Sequence, residues 1–370
     1  MPIDGDLWRG RRVLLTGHTG FKGAWLSLWL QQLGAELTGL APGPPSRPSL
    51  YELARIADGM AAELAVDVRD ATAMRTALAE SRPEVVLHLA AQPMVRRSLI
   101  DPVGTYEVNV MGTINVLDAV RHAGGCVRAV VVVTSDKCYE NDGSLTKGPF
   151  REGDPLGGSD PYSSSKACAE LVAAAYGHSF FDAPDAPRLA TARAGNVIGG
   201  GDWGEDRLLP DAVRVATGLA PAPLRLRNPD AVRPWQHVLN PLSGYLLLAQ
   251  ELLRSRRGCG AWNFGPPHQD ARPVGWIVER LRELWDGAPA WQVDQRPNPP
   301  EAGRLELDSS RARELLGWES RWDLERGLAE LVRWHVAQVG GQDMRAVSLE
   351  QLEQFLVEGE RLPVAQTDVR

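Results

Sequence analysis

Residues 13–33 set three glycines between an apolar run and a helical pattern, and few folds accommodate that order. Val13-Leu14-Leu15 lies between arginines and a turn, as a buried strand does. It runs into Thr16-Gly17-His18-Thr19-Gly20-Phe21-Lys22-Gly23, after which Phe21, Trp25, Leu28, Trp29 and Leu33 recur at helical spacing. The first glycine permits a tight turn, the second lets the backbone approach a pyrophosphate, and the third lets helix and strand pack closely. The helix N-terminus then turns N–H donors and a positive dipole end toward the phosphates. A strand–turn–helix of this kind predicts a dinucleotide ligand.

The rest of the chain repeats the alternation. Strands are predicted at 36–41, 64–68, 85–89, 128–134 and 189–194, and helices at 71–81, 106–123 and 162–177. The expected fold class is α/β, a Rossmann-type doubly wound parallel sheet over residues 1–200. After Gly199-Gly200-Gly201 prolines and arginines become frequent and elements shorten. Residues 201–370 are expected to form a smaller C-terminal substrate-binding domain, with some segments returning to the sheet.

Composition narrows the function classes. The chain has 370 residues, 44% hydrophobic and 24% charged, which excludes a disordered chain, a collagen or a disulfide miniprotein. A net charge of -7 argues against nucleic acid or an anionic membrane as partner. Cys126, Cys138, Cys168 and Cys259 show neither CxxC nor zinc-site spacing, so no metal is expected and the thiols suit a reducing compartment. Met1–Arg12 lacks an apolar signal core, and no run of about 18 apolar residues occurs. A cytoplasmic protein is expected. Of 40 basic residues only Lys22, Lys137, Lys147 and Lys166 are lysine, and three of these lie in motifs.

Tyr162 and Lys166 stand four apart, on one face of a predicted helix. An ammonium near a phenol favours the phenolate, which makes a base for a hydroxyl proton. Val133-Thr134-Ser135 ends the buried strand, where the Ser135 hydroxyl could share a hydrogen bond with Tyr162. An acidic residue about 20 positions beyond the glycine loop usually holds the cofactor ribose. Here that place is Gly43, and no Asp or Glu occurs between Glu36 and Glu52. That weakens NAD relative to NADP, whose 2′-phosphate Ser46 and Arg47 could meet.

The glycine loop, Leu89-Ala90-Ala91-Gln92, Asn109-Val110-Met111-Gly112-Thr113, Thr134-Ser135-Asp136-Lys137-Cys138-Tyr139-Glu140-Asn141 and Tyr162-x-x-x-Lys166 follow one another in order. Arg193-Ala194-Gly195-Asn196-Val197-Ile198-Gly199-Gly200-Gly201-Asp202-Trp203, Arg233-Pro234-Trp235-Gln236-His237-Val238 and Trp262-Asn263-Phe264-Gly265-Pro266 continue them. The chain resembles the extended short-chain dehydrogenase/reductase family, in its nucleotide-sugar dehydratase and epimerase branch, over nearly its whole length. The resemblance implies catalytic roles for Ser135, Asp136, Lys137, Tyr162 and Lys166. It implies NAD as cofactor, because the reaction opens with an oxidation and returns the hydride. The cofactor contacts implied are Gly17, Thr19, Gly20, Phe21, Lys22, Asp67, Val68, Leu89, Ala90, Ala91, Gln92, Asn109, Thr134, Tyr162, Lys166 and Arg193.

The implied substrate is CDP-glucose, on the way to deoxysugars, with contacts from Gln92, Arg96, Ser135, Asp136, Asn196, Arg207, Leu208, Arg233, His237, Glu301 and Arg304. The implied chemistry is C4 oxidation with Tyr162 as base, then loss of water across C5–C6 and hydride return to C6. Relatives carry Thr-Asp-Glu where this chain has Ser135-Asp136-Lys137, so Lys137 stands at the place of the C5 base. Alternatives are dehydration of another nucleotide sugar, 4-epimerisation, or a non-catalytic dinucleotide-binding protein. The Asp136-Lys137 pair speaks against an epimerase, and Tyr162 with Lys166 against a non-catalytic chain. A homodimer through helices 105–123 and 162–177 is also implied.

Overall fold

Val13–Leu15, Val85–Leu87 and Ala129–Val132 are buried along their whole length. Runs without a polar face need a layer on each side, and a parallel sheet supplies that. The computed structural model describes residues 2–141, 148–296 and 304–360. Its main sheet contains β1 (Arg12–Thr16), β2 (Glu36–Leu40), β3 (Ala62–Leu64), β4 (Val85–His88), β5 (Ala129–Val133) and β6 (Arg188–Ala194). A seventh strand, β10 (Gly260–Phe264), returns from the second half. The spatial order is β10-β6-β5-β4-β1-β2-β3, with every pairing parallel. This is the doubly wound sheet that the sequence pattern predicts.

Register brings the strand ends into line. Thr16 pairs with Leu40 and His88, His88 with Val132, Val133 with Ala192, and Ala194 with Phe264. The segments leaving β1, β4, β5 and β6 therefore emerge along one edge, with the change of winding direction between β1 and β4. On one face α1 (Phe21–Gln32) and α5 (Leu239–Arg254) pack on Leu15, Leu87, Val131 and Ala192. On the other, α2 (Ala71–Ser81), α3 (Gly112–Arg121) and α4 (Pro161–Phe180) pack around Leu14, Val86, Val130 and Val132.

The second half contributes smaller sheets. β7 (Asn196–Ile198), β9 (Val232–His237) and β11 (Ala271–Pro273) form one, and β8 (Leu224–Leu226) with β12 (Trp291–Val293) another. Helices 208–216, 274–284 and 324–339 surround them with an apolar cluster of their own. Trp318, Trp322, Trp334 and Phe355, from late in the chain, join the first-half core.

Two expected elements differ. The strand predicted at 64–68 is instead β3, ending at Leu64. Asp67 accepts from the Arg69 N–H (2.9 Å) and Asp70 caps α2 through the Ala73 N–H (2.9 Å), so the chain turns out of the sheet. The helix predicted at 106–123 contains a π-helical turn, Glu107–Met111, before α3. That turn carries Asn109, which is buried.

His18, His88, His237 and His335 are buried. His88, His237 and His335 are each lowered to about 3, first by burial, helped at His88 by Lys166 and at His237 by Arg326. The unfolded chain protonates histidine near pH 6.5, so between 6.5 and about 3 it binds more protons than the native state. Stability therefore falls as pH drops through that window. Acidification from pH 7 to 5 is expected to cost about 1–2 kcal/mol per histidine. Asp136 and Asp270, raised by burial, offset part of this. Urea midpoints should fall accordingly, and His335→Gln should flatten the slope; a flat wild-type profile contradicts the assignment.

Candidate active site

The glycine loop sits where β1 ends. Gly17 has φ +73°, and a Cβ there would lie 2.8 Å from the Ala90 nitrogen. A Cβ on Gly23 would come within 2.0 Å of the Gly17 carbonyl oxygen. Both glycines are thus required by close approach, the first to Leu89–Ala90 and the second to the turn itself. Thr16 Oγ1 accepts from the N–H groups of Leu89 (3.2 Å) and Ala90 (3.1 Å), pinning the end of β4 against the loop. Thr19 donates to the Gly43 carbonyl (2.7 Å). This cradle, open at the N-terminus of α1, fits a dinucleotide pyrophosphate.

Further along the same edge, Asn109 clamps the segment after β4. It accepts from the Gln92 N–H (2.8 Å) and donates to the Gln92 carbonyl (3.0 Å) and to Ser165 (2.9 Å). Asp67 is paired with Arg69 (2.7 Å), which holds its carboxyl below the usual range. Val68 packs beside Gly112 at the start of α3. The loop around Gly43 offers no acidic side chain. The glycine loop meets Glu63 of β3 instead, which hydrogen-bonds His18 (2.8 Å) and Tyr51 (2.7 Å).

The Ser135–Lys137 turn leaves β5 toward α4. Ser135 donates to Asp136 Oδ1 (2.9 Å) and accepts from the Lys137 N–H (3.2 Å), and its hydroxyl acts on the Tyr162 phenol in favour of the ionised form. Asp136 is 3% exposed, and Oδ2 has no hydrogen-bond partner among the described residues. Burial raises its pKa, opposed by Lys137, the Ser135 hydrogen bond, Arg233 and Lys22. Asp160 caps α4 through the Ser163 N–H (3.0 Å), with Pro161 in the first turn, and so fixes where Tyr162 and Lys166 point.

The electrostatics differ in one respect from expectation. Burial pushes the Tyr162 phenol up to about 12, and the cation opposing it is Arg207 rather than Lys166. Lys166 donates to the Val133 carbonyl (3.4 Å) and is lowered to about 8, chiefly by burial. Lys22 is also lowered to about 8, by burial and then by Arg207 and Lys166.

Around this centre the structure gathers several of the arginines singled out in the sequence. Arg207 pairs with Asp202 (3.0 Å) just before Leu208, which begins the helix 208–216. Arg96 pairs with Asp206 (3.1 Å). Arg233 is buried, donates to the Val232 carbonyl (2.9 Å) and lies within electrostatic range of Asp136. Asn196 opens β7 directly after Gly195, where a Cβ would lie 3.1 Å from Asp136 Oδ2. Arg304 pairs with Glu306, and its backbone bridges Val232. Glu301 lies outside the described residues.

Two residues are placed differently from expectation. Arg193, expected at the cofactor, is 2% exposed and committed to Glu170, Tyr139 and the Glu152 carbonyl. His237, expected at the substrate, is fully buried, its ring against those of Trp25 and Trp322.

A family model described as GDP-mannose 4,6 dehydratase matches residues 14–260. A CDP-glucose 4,6-dehydratase of Salmonella typhimurium is 46% identical over 359 residues, 96% of this chain and 98% of that protein. The chain belongs to the 4,6-dehydratase family. A dTDP-glucose 4,6-dehydratase of Xanthomonas campestris pv. campestris is 26% identical, over 87% of this chain and 92% of its own. Among solved structures, a UDP-glucose-4-epimerase from Stenotrophomonas maltophila with bound NAD and formylated UDP-arabinopyranose superposes with a TM-score of 0.77. It is 25% identical and covers 90% of this chain and 99% of its own.

Within this dehydratase scaffold, sequence reasoning missed Glu170 and Tyr245. Glu170 follows Lys166 by four residues on α4, a spacing that could have drawn attention to it. Tyr245 is fully buried on α5 with its hydroxyl unpartnered among the described residues and Lys22 Nζ 6.0 Å from its ring. No local pattern flags it.

The Ser135 hydroxyl bonds Asp136 and the Lys137 backbone and favours the Tyr162 phenolate. Ser135→Ala is expected to lower kcat about 10–100-fold while KM changes less than about twofold. Steady-state kinetics checks this, and an unchanged kcat contradicts it.

Proposed function

We propose that the chain dehydrates CDP-glucose to CDP-4-keto-6-deoxyglucose with NAD as its recycled cofactor. The observation that carries this reading is the buried Asp136 beside Lys137 at the end of β5, in a chain nearly half identical to a CDP-glucose 4,6-dehydratase. NAD, when bound, supplies the acceptor for the C4 hydride and returns that hydride to C6. The glycine loop, Leu89–Gln92 and the Lys166 ammonium would hold it.

Each remaining part of the chemistry falls to a side chain of the protein. Tyr162 takes the C4 hydroxyl proton, with the Ser135 hydroxyl and the Arg207 charge favouring its phenolate. Lys137 takes the C5 hydrogen that the C4 ketone has acidified. Asp136, which burial favours as the acid, protonates the departing C6 hydroxyl. The C5 proton goes to Lys137 and the Asp136 proton leaves with the C6 hydroxyl as water, so the step balances between two adjacent side chains. Arg207 and Arg233 suit the diphosphate, since a guanidinium offers a planar fork of donors.

The same reading extends to organisation. Residues 1–200 serve the cofactor and residues 201–370 chiefly the nucleotide sugar. Leu99, Ile100, Val103, Met111 and Leu171 are 46–77% exposed, an apolar face suited to a second copy in a homodimer. Free Cys126, Cys138, Cys168 and Cys259 suit the cytoplasm. Deoxysugar supply, as for a lipopolysaccharide O-antigen, is the biological role that fits the product.

Reaction in deuterium oxide separates the two halves of the elimination. Lys137→Met should lose C5 hydrogen exchange by at least about 100-fold. Asp136→Asn should retain exchange while losing water release. Exchange at the wild-type rate in Lys137→Met contradicts the assignment of the base.

A further inference from the structure

A buried ion pair lies beneath the site and takes part in none of the steps above. Glu170 and Arg193 are 3% and 2% exposed and meet at 2.7 Å. Glu170 lies one turn beyond Lys166 on α4 and accepts hydrogen bonds from Thr134, next to Ser135, and from Thr191 of β6 (2.7 Å). Lys166 itself donates to the Val133 carbonyl (3.4 Å). Residues 166 and 170 of one helix thus grip residues 133 and 134 of one strand end. Arg193 donates onward to the Tyr139 hydroxyl (2.7 Å), and Tyr139 to Asn263 of β10 (2.7 Å). The reactive turn 135–138 is therefore held from both sides by one polar network. Buried pairs add little net stability, because desolvation offsets their attraction, so stability alone does not account for this one.

We propose that Glu170 and Arg193 are positioning residues that fasten the Lys166 helix to the Ser135–Lys137 turn. The proposal rests on the reading that Lys166 and this turn form the reacting centre. Burial lowers Lys166 to about 8, and Glu170 is the strongest group acting against that shift. The other titratable or charged groups near Lys166 are Cys138 in the turn, His88 of β4 and Lys22 of α1. Arg193 pairs with Glu170. Removing the Glu170 charge leaves burial less opposed, so Lys166 should lose its proton at lower pH.

With only four lysines in the chain, ε-¹³C-lysine labelling gives a spectrum in which Lys166 and Lys22 can be assigned by Lys→Arg variants. Glu170→Gln is expected to move the Lys166 titration midpoint down by about one pH unit while Lys22 stays in place. The alkaline limb of kcat should move with it, so that kcat at pH 8 falls about fivefold with KM changed less than about twofold. Glu170→Asp, which keeps the carboxylate, should restore much of the midpoint. If Glu170→Gln does not fold, Glu170→Gln with Arg193→Met removes both buried charges, and a smaller downward shift is expected. An unmoved Lys166 midpoint, or equal movement of Lys22 and Lys166, overturns the proposal. Full activity in Lys166→Met would instead overturn the underlying reading and leave the titration result standing.

Discussion

A parallel sheet covered on both faces leaves little room for polar chemistry except at the edge where its strands end, and the rest of this structure follows from that. Buried peptide groups pair within the sheet, and apolar side chains from α1 and α5 on one face and α2, α3 and α4 on the other exclude water. Aligned register then delivers Thr16, His88, Val133 and Ala194 to one edge. The segments that follow these strands line that edge in turn, with the glycine loop after β1, Leu89–Gln92 after β4, Ser135–Lys137 after β5 and Gly195–Asn196 after β6. The second half completes both functions, because β10 and α5 enclose the sheet while β7 and β9 extend its working edge.

The edge gathers groups whose burial conflicts with their charge. Asp136 and Tyr162 are pushed toward their protonated forms, and Lys22 and Lys166 toward their neutral ones. Particular neighbours oppose three of these shifts: Lys137 at Asp136, Ser135 and Arg207 at Tyr162, and Glu170 at Lys166.

How far the sequence could be read depended on how local the physics is. The β1–loop–α1 unit was legible because turn, close approach and helix start lie within a dozen residues. Tyr162 and Lys166 were legible because helical spacing alone puts them on one face. β3 was read too long, because the Asp67 and Asp70 side chains, which end it, compete with an apolar pattern that continues to Val68. Arg193 and His237 show the limit of local reading. The partners that bury them, Glu170 and Tyr139 for one and Trp25 and Trp322 for the other, lie far off in sequence. Glu63 at the glycine loop was hidden in the same way, on a strand distant from the loop it meets.

The central claim is that this edge recycles NAD to turn one nucleotide sugar into its 4-keto-6-deoxy product. Its most direct test incubates the purified protein with CDP-, dTDP-, UDP- and GDP-hexoses, with NAD⁺ and separately NADP⁺, and follows the alkali-induced absorbance of the 4-keto-6-deoxy product. Product from CDP-glucose with NAD⁺, and little from the other sugars or from NADP⁺, is the predicted result. Absence of the keto product from CDP-glucose, with NAD⁺ bound, would contradict it.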